Sequence, residues 1–205
     1  MLGNHGRSIT RTVFTPLARL LAALRVTPDM VTVAGTVLTV GIAVGVLARG
    51  HLAVGGILLG IVLFCDSVDG VLARMTGQES TFGAFLDSTM DRLGDGAVFG
   101  ALLAWAALGM EEGPVRTVSV IAGTIAMVGV GTVPYARARA ESVGVVAKLG
   151  IAERTDRLVV ALACAAVTQW GLPQWMYAVG LCWVAFASLV TVLQRVLFTR
   201  RALAK

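Results

Sequence analysis

The chain has 205 residues, 57% of them hydrophobic and only 14% charged, where a typical soluble domain is about a quarter charged. Together with a mean hydropathy of +0.82, this excludes a disordered protein, a secreted disulfide scaffold and a water-soluble nucleic-acid binder. A polytopic membrane protein with little mass outside the bilayer remains, and its net charge of +5 reads as a basic rim facing anionic lipid headgroups. Cys65, Cys164 and Cys182 lie in apolar stretches without CxxC spacing, so they read as packing residues rather than a disulfide framework or zinc site.

In chain order, the first 25 residues do not read as a cleavable signal, because Arg11, Arg19 and Arg25 interrupt any apolar stretch. Val13, Phe14, Leu17, Leu20, Leu21 and Leu24 recur at helical spacing with arginines on the other side. That predicts an amphipathic helix over about 1–27, lying in the membrane interface. Six apolar runs follow, at about 30–48, 52–75, 82–108, 117–137, 157–172 and 176–197, and they predict six transmembrane helices. The expected fold is all-α, a six-helix bundle over 28–205 behind the interfacial helix, with 1–205 a single domain. An even number of spans puts both termini on one side. Arg7, Arg11, Arg19, Arg25, Arg74, Arg137, Arg139, Lys148, Arg154, Arg157, Arg195, Arg200, Arg201 and Lys205 would share that side, against Arg49 and Arg116 opposite. The positive-inside rule therefore predicts a multi-pass protein of the cell membrane with both termini and the acidic motif cytoplasmic. Gly41/Gly45, Gly56/Gly60 and Gly96/Gly100 are each four apart and predict close helix packing.

Asp66, Asp69, Asp87, Asp91 and Asp95 all fall inside the second and third runs, where one charge at mid-membrane costs on the order of 3 kcal/mol. Asp66 and Asp69 share a helix face at i, i+3, and Asp87 and Asp91 share one at i, i+4. The short polar break at 77–80 lets the two pairs meet at similar depth. Four carboxylates together need hard cations between them, and oxygen-only ligands suit Mg²⁺ or Mn²⁺ rather than zinc. Two ions about 4 Å apart would serve phosphoryl transfer. Gly70 and Gly83 let a phosphate or nucleotide approach the backbone, and Arg74, one turn after Gly70, suits phosphate oxygens.

Asp66-Ser-Val-Asp69-Gly70-Val-Leu-Ala73-Arg74, eight further residues, and Gly83-Ala-Phe-Leu-Asp87-Ser-Thr-Met-Asp91 fill every fixed position of the pattern D-x2-D-G-x2-A-R-x8-G-x3-D-x3-D. The chain thereby resembles the CDP-alcohol phosphotransferase family, and Thr27-Pro28-Asp29 through Thr32 resembles its entry to the first span. The resemblance implies a metal-dependent transferase, usually a homodimer, that moves a substituted phosphate from a CDP-linked donor to an alcohol and releases CMP. By the same resemblance, Asp66, Asp69, Asp87 and Asp91 bind two Mg²⁺ (or Mn²⁺) ions, and Asp91 is also the catalytic base. Asp29, Met30, Val31, Thr32, Gly70, Arg74 and Ser80 would hold the headgroup of CDP-diacylglycerol. No ligand role carries over to Asp95, one turn beyond the signature.

The stretch between the fourth and fifth runs is unusually basic. The positive-inside rule accounts for part of that, and a phosphorylated acceptor would account for the rest. Pro134-Tyr135-Ala136-Arg137-Ala138-Arg139-Ala140-Glu141 and Gly150-Ile151-Ala152-Glu153-Arg154 resemble the phosphatidylinositol phosphate synthase branch of the family. That branch joins CDP-diacylglycerol to inositol 1-phosphate. Pro134 and Arg137 depart from the serine and lysine of its pattern, the arginine keeping the charge. The resemblance implies an acceptor-phosphate pocket of Arg137, Arg154 and Arg195, with Arg139 beside them, although Arg137 and Arg139 cannot face the same way on a helix. Phosphatidylglycerophosphate synthase, which uses glycerol 3-phosphate, is the nearest alternative. An intramembrane cation or proton transporter is the alternative of another class, but the two related halves expected of a transporter are not evident.

Overall fold

The structure is a computed structural model that describes residues 14–204; Val13 and the rest of the predicted start of the interfacial helix lie outside the described residues. Among these residues the regular elements are all helical. They are α1 Phe14–Ala23, α2 Pro28–Ile42 with a π-helical continuation at Ala43–Leu47, α3 Leu52–Cys65, α4 Ser67–Thr76, α5 Thr81–Leu108, α6 Pro114–Ser142, α7 Arg154–Gln169 and α8 Trp175–Leu203. Each of the six apolar runs falls on helix. Among the described residues, four segments are long and apolar enough to cross a bilayer: Pro28–Leu47, Leu52–Thr76, Pro114–Ser142 and Trp175–Leu203. The other two differ for physical reasons. α5 has 28 residues but carries Asp87, Asp91, Arg92 and Asp95, while α7 has 16 residues, short of the roughly 20 that span a bilayer.

Local chemistry sets the boundaries. α1 ends with Arg25 in the left-handed region at φ 58°, and the amide of Val26 donates to Leu21 O at 3.0 Å, a cap usually built on glycine. Thr27 then opens α2: its Oγ1 accepts from the Met30 amide at 3.3 Å, with Pro28 and Asp29 in the first turn, where they suit a helix start. Gly77 closes α4 at φ 66°. The second apolar run, expected to be continuous, is interrupted at Asp66 between α3 and α4.

The chain forms two compact units. Among the described residues, one comprises 14–42 with Leu58–Gly94, the other Ala43–Ile57 with 95–204. In the first, Phe14 and Ala18 of α1 are buried with Val68, Val71 and Leu72 of α4, and Leu21 and Ala22 pack alongside. The opposite face of α1 leaves Leu17 and Leu20 exposed, as is Leu24 just past its end. In the second unit, α8 packs on α6 and α7 through small residues. A Cβ at Gly129 would lie 2.6 Å from Ser188 Cβ, and one at Gly180 would lie 2.6 Å from Cys164 Cβ. Of the glycine pairs expected to mediate packing, one member of two pairs meets a neighbour within the chain. Gly41, Gly45, Gly60 and Gly96 have nothing within 4 Å of a would-be Cβ, and only Gly56 and Gly100 touch neighbours. The close approaches instead use glycines that face a bulkier partner on the next helix. Tyr177 anchors this unit, donating from its hydroxyl to Leu102 O at 2.6 Å.

Candidate active site

The first turn of α2 touches both halves of the acidic signature. Thr32 Oγ1 donates to Asp69 Oδ2 at 2.6 Å, and the other Asp69 oxygen accepts the Gly70 amide at 2.6 Å. Each oxygen thus receives one hydrogen bond and keeps a lone pair for an ion. On the other side, a Cβ at Gly83 would lie 3.3 Å from Asp29 Oδ1 and 3.1 Å from Ser80 Oγ. Glycine at this signature position is what lets the start of α5 lie against Asp29. Ser80, expected at the donor headgroup, serves here as the cap of α5, accepting the Gly83 amide at 2.9 Å. The Arg74 guanidinium lies over Gly70, its Nη1 3.4 Å from a would-be Cβ.

Asp66 stands at the break before α4 without capping that helix through its side chain, so a capping role does not explain it. Asp66 and Asp87 are exposed, and Asp69 and Asp91 half-buried. Asp91 Oδ2 lies 3.4 Å from Arg92 Nη2. Among the described residues, no three carboxylate, imidazole or thiol groups converge as a preformed metal cluster. The donor set still fits hard divalent cations. It is oxygen-only, accessible, carried on two helices that follow one another, and oriented at Asp69 by Thr32 and the Gly70 amide.

Asp66 and Asp69 also line a cleft of about 440 Å³. Its other walls are mostly apolar and come from α1, α2 and α3, with Leu21, Met30, Leu38, Ile61 and Val62 among them. Met30, Val31 and Thr32 line it as well. Of the residues expected at the donor headgroup, the structure therefore gathers Met30, Val31 and Thr32 with the first aspartate pair, and Asp29 with Ser80.

The acceptor arginines have distinct surroundings. Arg137 Nε donates to Glu141 Oε1 at 2.9 Å, one turn along α6. Arg195 donates to Leu149 O at 3.0 Å and to Val133 O at 2.5 Å, fastening α8 to α6 and to the loop before α7. Arg137, Glu141 and Arg195 lie within electrostatic reach of one another. Arg139 turns to Ser142 Oγ at 3.1 Å. Arg154 donates to Asp95 Oδ1 at 2.8 Å.

A profile of the CDP-alcohol phosphatidyltransferase family matches residues 25–192, which include both aspartate pairs and the arginines up to Arg157. The chain belongs to this family. Among its relatives, the phosphatidylinositol phosphate synthase of Corynebacterium glutamicum is 36% identical over 202 residues, covering 98% of this chain and 90% of that protein. Two crystal structures of Mycobacterium tuberculosis phosphatidylinositol phosphate synthase superpose with a TM-score of 0.85 at 36% identity. The one with CDP-DAG bound covers 92% of this chain and 94% of its own; the one with manganese and citrate covers 91% and 88%. As a CDP-alcohol phosphatidyltransferase, this chain is a transferase of phospholipid synthesis. Sequence reasoning missed two partners inside it, Arg92 on Asp91 and Asp95 on Arg154. The first is legible only as adjacency. The second joins residues 59 apart, and the one sequence signal for it is an aspartate one turn past the signature in an apolar run.

Proposed function

We propose that this chain transfers the phosphatidyl group of CDP-diacylglycerol to a hydroxyl of inositol 1-phosphate, giving phosphatidylinositol phosphate and CMP. The observation that carries the donor half is the cleft with Asp66 and Asp69 in an otherwise apolar wall. It suits a ligand that joins a charged diphosphate to hydrocarbon tails. The names of the close relatives support the acceptor, and so does the cationic group of Arg137 and Arg195. In this reading, Asp66, Asp69, Asp87 and Asp91 hold two divalent ions, Mg²⁺ or Mn²⁺. When bound, these neutralise charge on the pyrophosphate and on the leaving CMP. Asp91 takes the proton of the acceptor hydroxyl. The hydroxyl oxygen then bonds to the phosphatidyl phosphorus as the bond from that phosphorus to the CMP oxygen breaks. Arg74, held over Gly70, pairs with donor phosphate oxygens, assisted by Asp29, Met30, Val31, Thr32 and Ser80. Arg137, Arg154 and Arg195, with Arg139 beside them, hold the acceptor phosphate.

The same proposal places six helices across the cell membrane, with α1 in the interface and both termini and the active site cytoplasmic. The arginine and lysine distribution supports that orientation. The family match runs through both compact units, which supports one catalytic domain, and the family resemblance supports a homodimer. Purified protein with CDP-diacylglycerol and Mg²⁺, offered inositol 1-phosphate, glycerol 3-phosphate, serine and inositol in turn, tests the reading. CMP release with inositol 1-phosphate alone is the expected result. Preference for glycerol 3-phosphate would move the chain to the phosphatidylglycerophosphate branch, and no CMP release with any acceptor would reject transfer.

A further inference from the structure

We infer that Asp95 is a positioning residue for acceptor binding, its buried carboxylate setting the plane in which Arg154 presents its guanidinium to the acceptor phosphate. The inference rests on the role proposed above for Arg154 and deepens it. Asp95 is 3% exposed, whereas the Arg154 side chain keeps 27% exposure, so the pair runs from the interior toward an accessible surface. The bond from Nε to Asp95 Oδ1, 2.8 Å long, is charge-assisted and fixes one edge of a rigid planar group. Nη1 and Nη2 form the other edge, the fork that matches two oxygens of a phosphate. An arginine tethered through Nε has few orientations left to lose when a ligand binds.

Architecture alone is a weak reason for this pair. A buried ion pair stabilises a fold no better than apolar residues of the same volume, and α7 already packs on α8 through Gly180 and Cys164. Asp95 also follows Asp87 and Asp91 at four-residue intervals along α5, each one turn, about 6 Å, after the last. The helix that carries the proposed base therefore also carries the residue that aims the acceptor arginine.

The test is steady-state CMP release by the purified protein with CDP-diacylglycerol, Mg²⁺ and inositol 1-phosphate. Asp95→Asn keeps the volume and an acceptor oxygen but removes the charge, and should raise the KM for inositol 1-phosphate about 5- to 20-fold. Donor KM, and kcat at saturating acceptor, should stay within about twofold. Arg154→Ala should raise the same KM, and adding Asp95→Asn to it should raise it no further, because both act through one guanidinium. A lower or unchanged acceptor KM in Asp95→Asn, or full additivity in the double variant, overturns the inference. If Asp95→Asn does not fold, Asp95→Glu decides. It keeps the charge but shifts Arg154, so acceptor KM should again rise while donor KM holds; failure of both variants to fold makes Asp95 an architectural tie and rejects the inference. An unchanged acceptor KM in Arg154→Ala removes the acceptor reading and this inference together. A raised value there with no effect of Asp95→Asn removes only the inference.

Discussion

Replacing Thr32 by valine separates the shape of the signature from its hydrogen bonding. Valine keeps the β-branch and nearly the volume of threonine, so the packing of α2 on α4 is preserved, but it removes the hydroxyl that donates to Asp69 Oδ2 at 2.6 Å. The same hydroxyl lies 3.2 Å from Pro28 O, yet its single proton goes to the shorter, charged partner. A hydrogen bond to a charged group is worth about 1.5–3 kcal/mol. Because Asp69 is only half-buried and water can partly replace the donor, the lower end applies, about 1.5 kcal/mol, or roughly tenfold in affinity. If that bond holds Asp69 in the orientation an ion needs, Thr32→Val should raise the Mg²⁺ concentration giving half-maximal activity about tenfold. Turnover at saturating Mg²⁺ should fall much less. Thr32→Ser should behave as the parent. Thr36→Val, one turn further along α2, where the hydroxyl donates to Thr32 O at 3.1 Å, should leave the Mg²⁺ dependence alone. The assay is CMP release titrated with Mg²⁺ at fixed CDP-diacylglycerol. An unshifted Mg²⁺ midpoint in Thr32→Val would refute the claim that this hydroxyl organises the site.

Three further outcomes follow from the same geometry. Asp91→Asn removes a proton acceptor at nearly constant volume, so turnover should fall by about 10²–10⁴ while CDP-diacylglycerol still binds; substantial turnover would end the role of Asp91 as base. Thorough chelation should abolish CMP release, and either Mg²⁺ or Mn²⁺ should restore it. Full activity of the chelated protein would reject a metal-dependent reaction. Gly129→Ala should lower the thermal midpoint in detergent, because its Cβ would fall 2.6 Å from Ser188 Cβ and overpacking costs about 1–3 kcal/mol. Gly131→Ala, on the same helix with nothing within 4 Å, should hold or raise the midpoint through the helix preference of alanine, worth about 1 kcal/mol.

Much of this was readable in the chain, and the boundary between what was and was not is a matter of range. Helices follow from apolar runs and caps, which are local, so the six runs, Thr27 and Gly77 could all be placed in advance. The signature is also local: i, i+4 spacing puts Asp87 and Asp91 on one face of α5, whereas the i, i+3 pair starts one residue before α4, with Asp66 in the break and Asp69 in the first turn. The break at Asp66 was not legible, because the polar residues Asp66, Ser67 and Asp69 are accounted for by the signature and neither a glycine nor a proline marks an end to the helix before them. The glycine packing within the chain was only partly legible, for a related reason. Four-residue spacing shows that two glycines share a face but not which helix, or whether any helix, lies opposite. Gly129 and Gly180 earn their contacts from Ser188 and Cys164, partners that only the fold supplies.

The same limit explains why Thr32 and Asp95 look alike in the sequence and differ in the structure. Both are polar residues in apolar stretches, and the family pattern touches one and passes over the other. Thr32 spends its hydroxyl on a carboxylate expected at the metals, which orients a ligand already named by the signature. Asp95 spends its carboxylate on an arginine 59 residues further along the chain, outside the signature altogether. A motif records side chains that must keep fixed spacing because they share one or two helices. It cannot record a residue whose work is to aim a distant one, since insertions between the two leave the bond intact. In the proposed reading, the metal and donor chemistry is concentrated where spacing is rigid, from Asp66 to Asp91, with residues 29–32 beside it. Acceptor choice, in the same proposed reading, is spread over α5, α6, α7 and α8, where each arginine is held by a different partner.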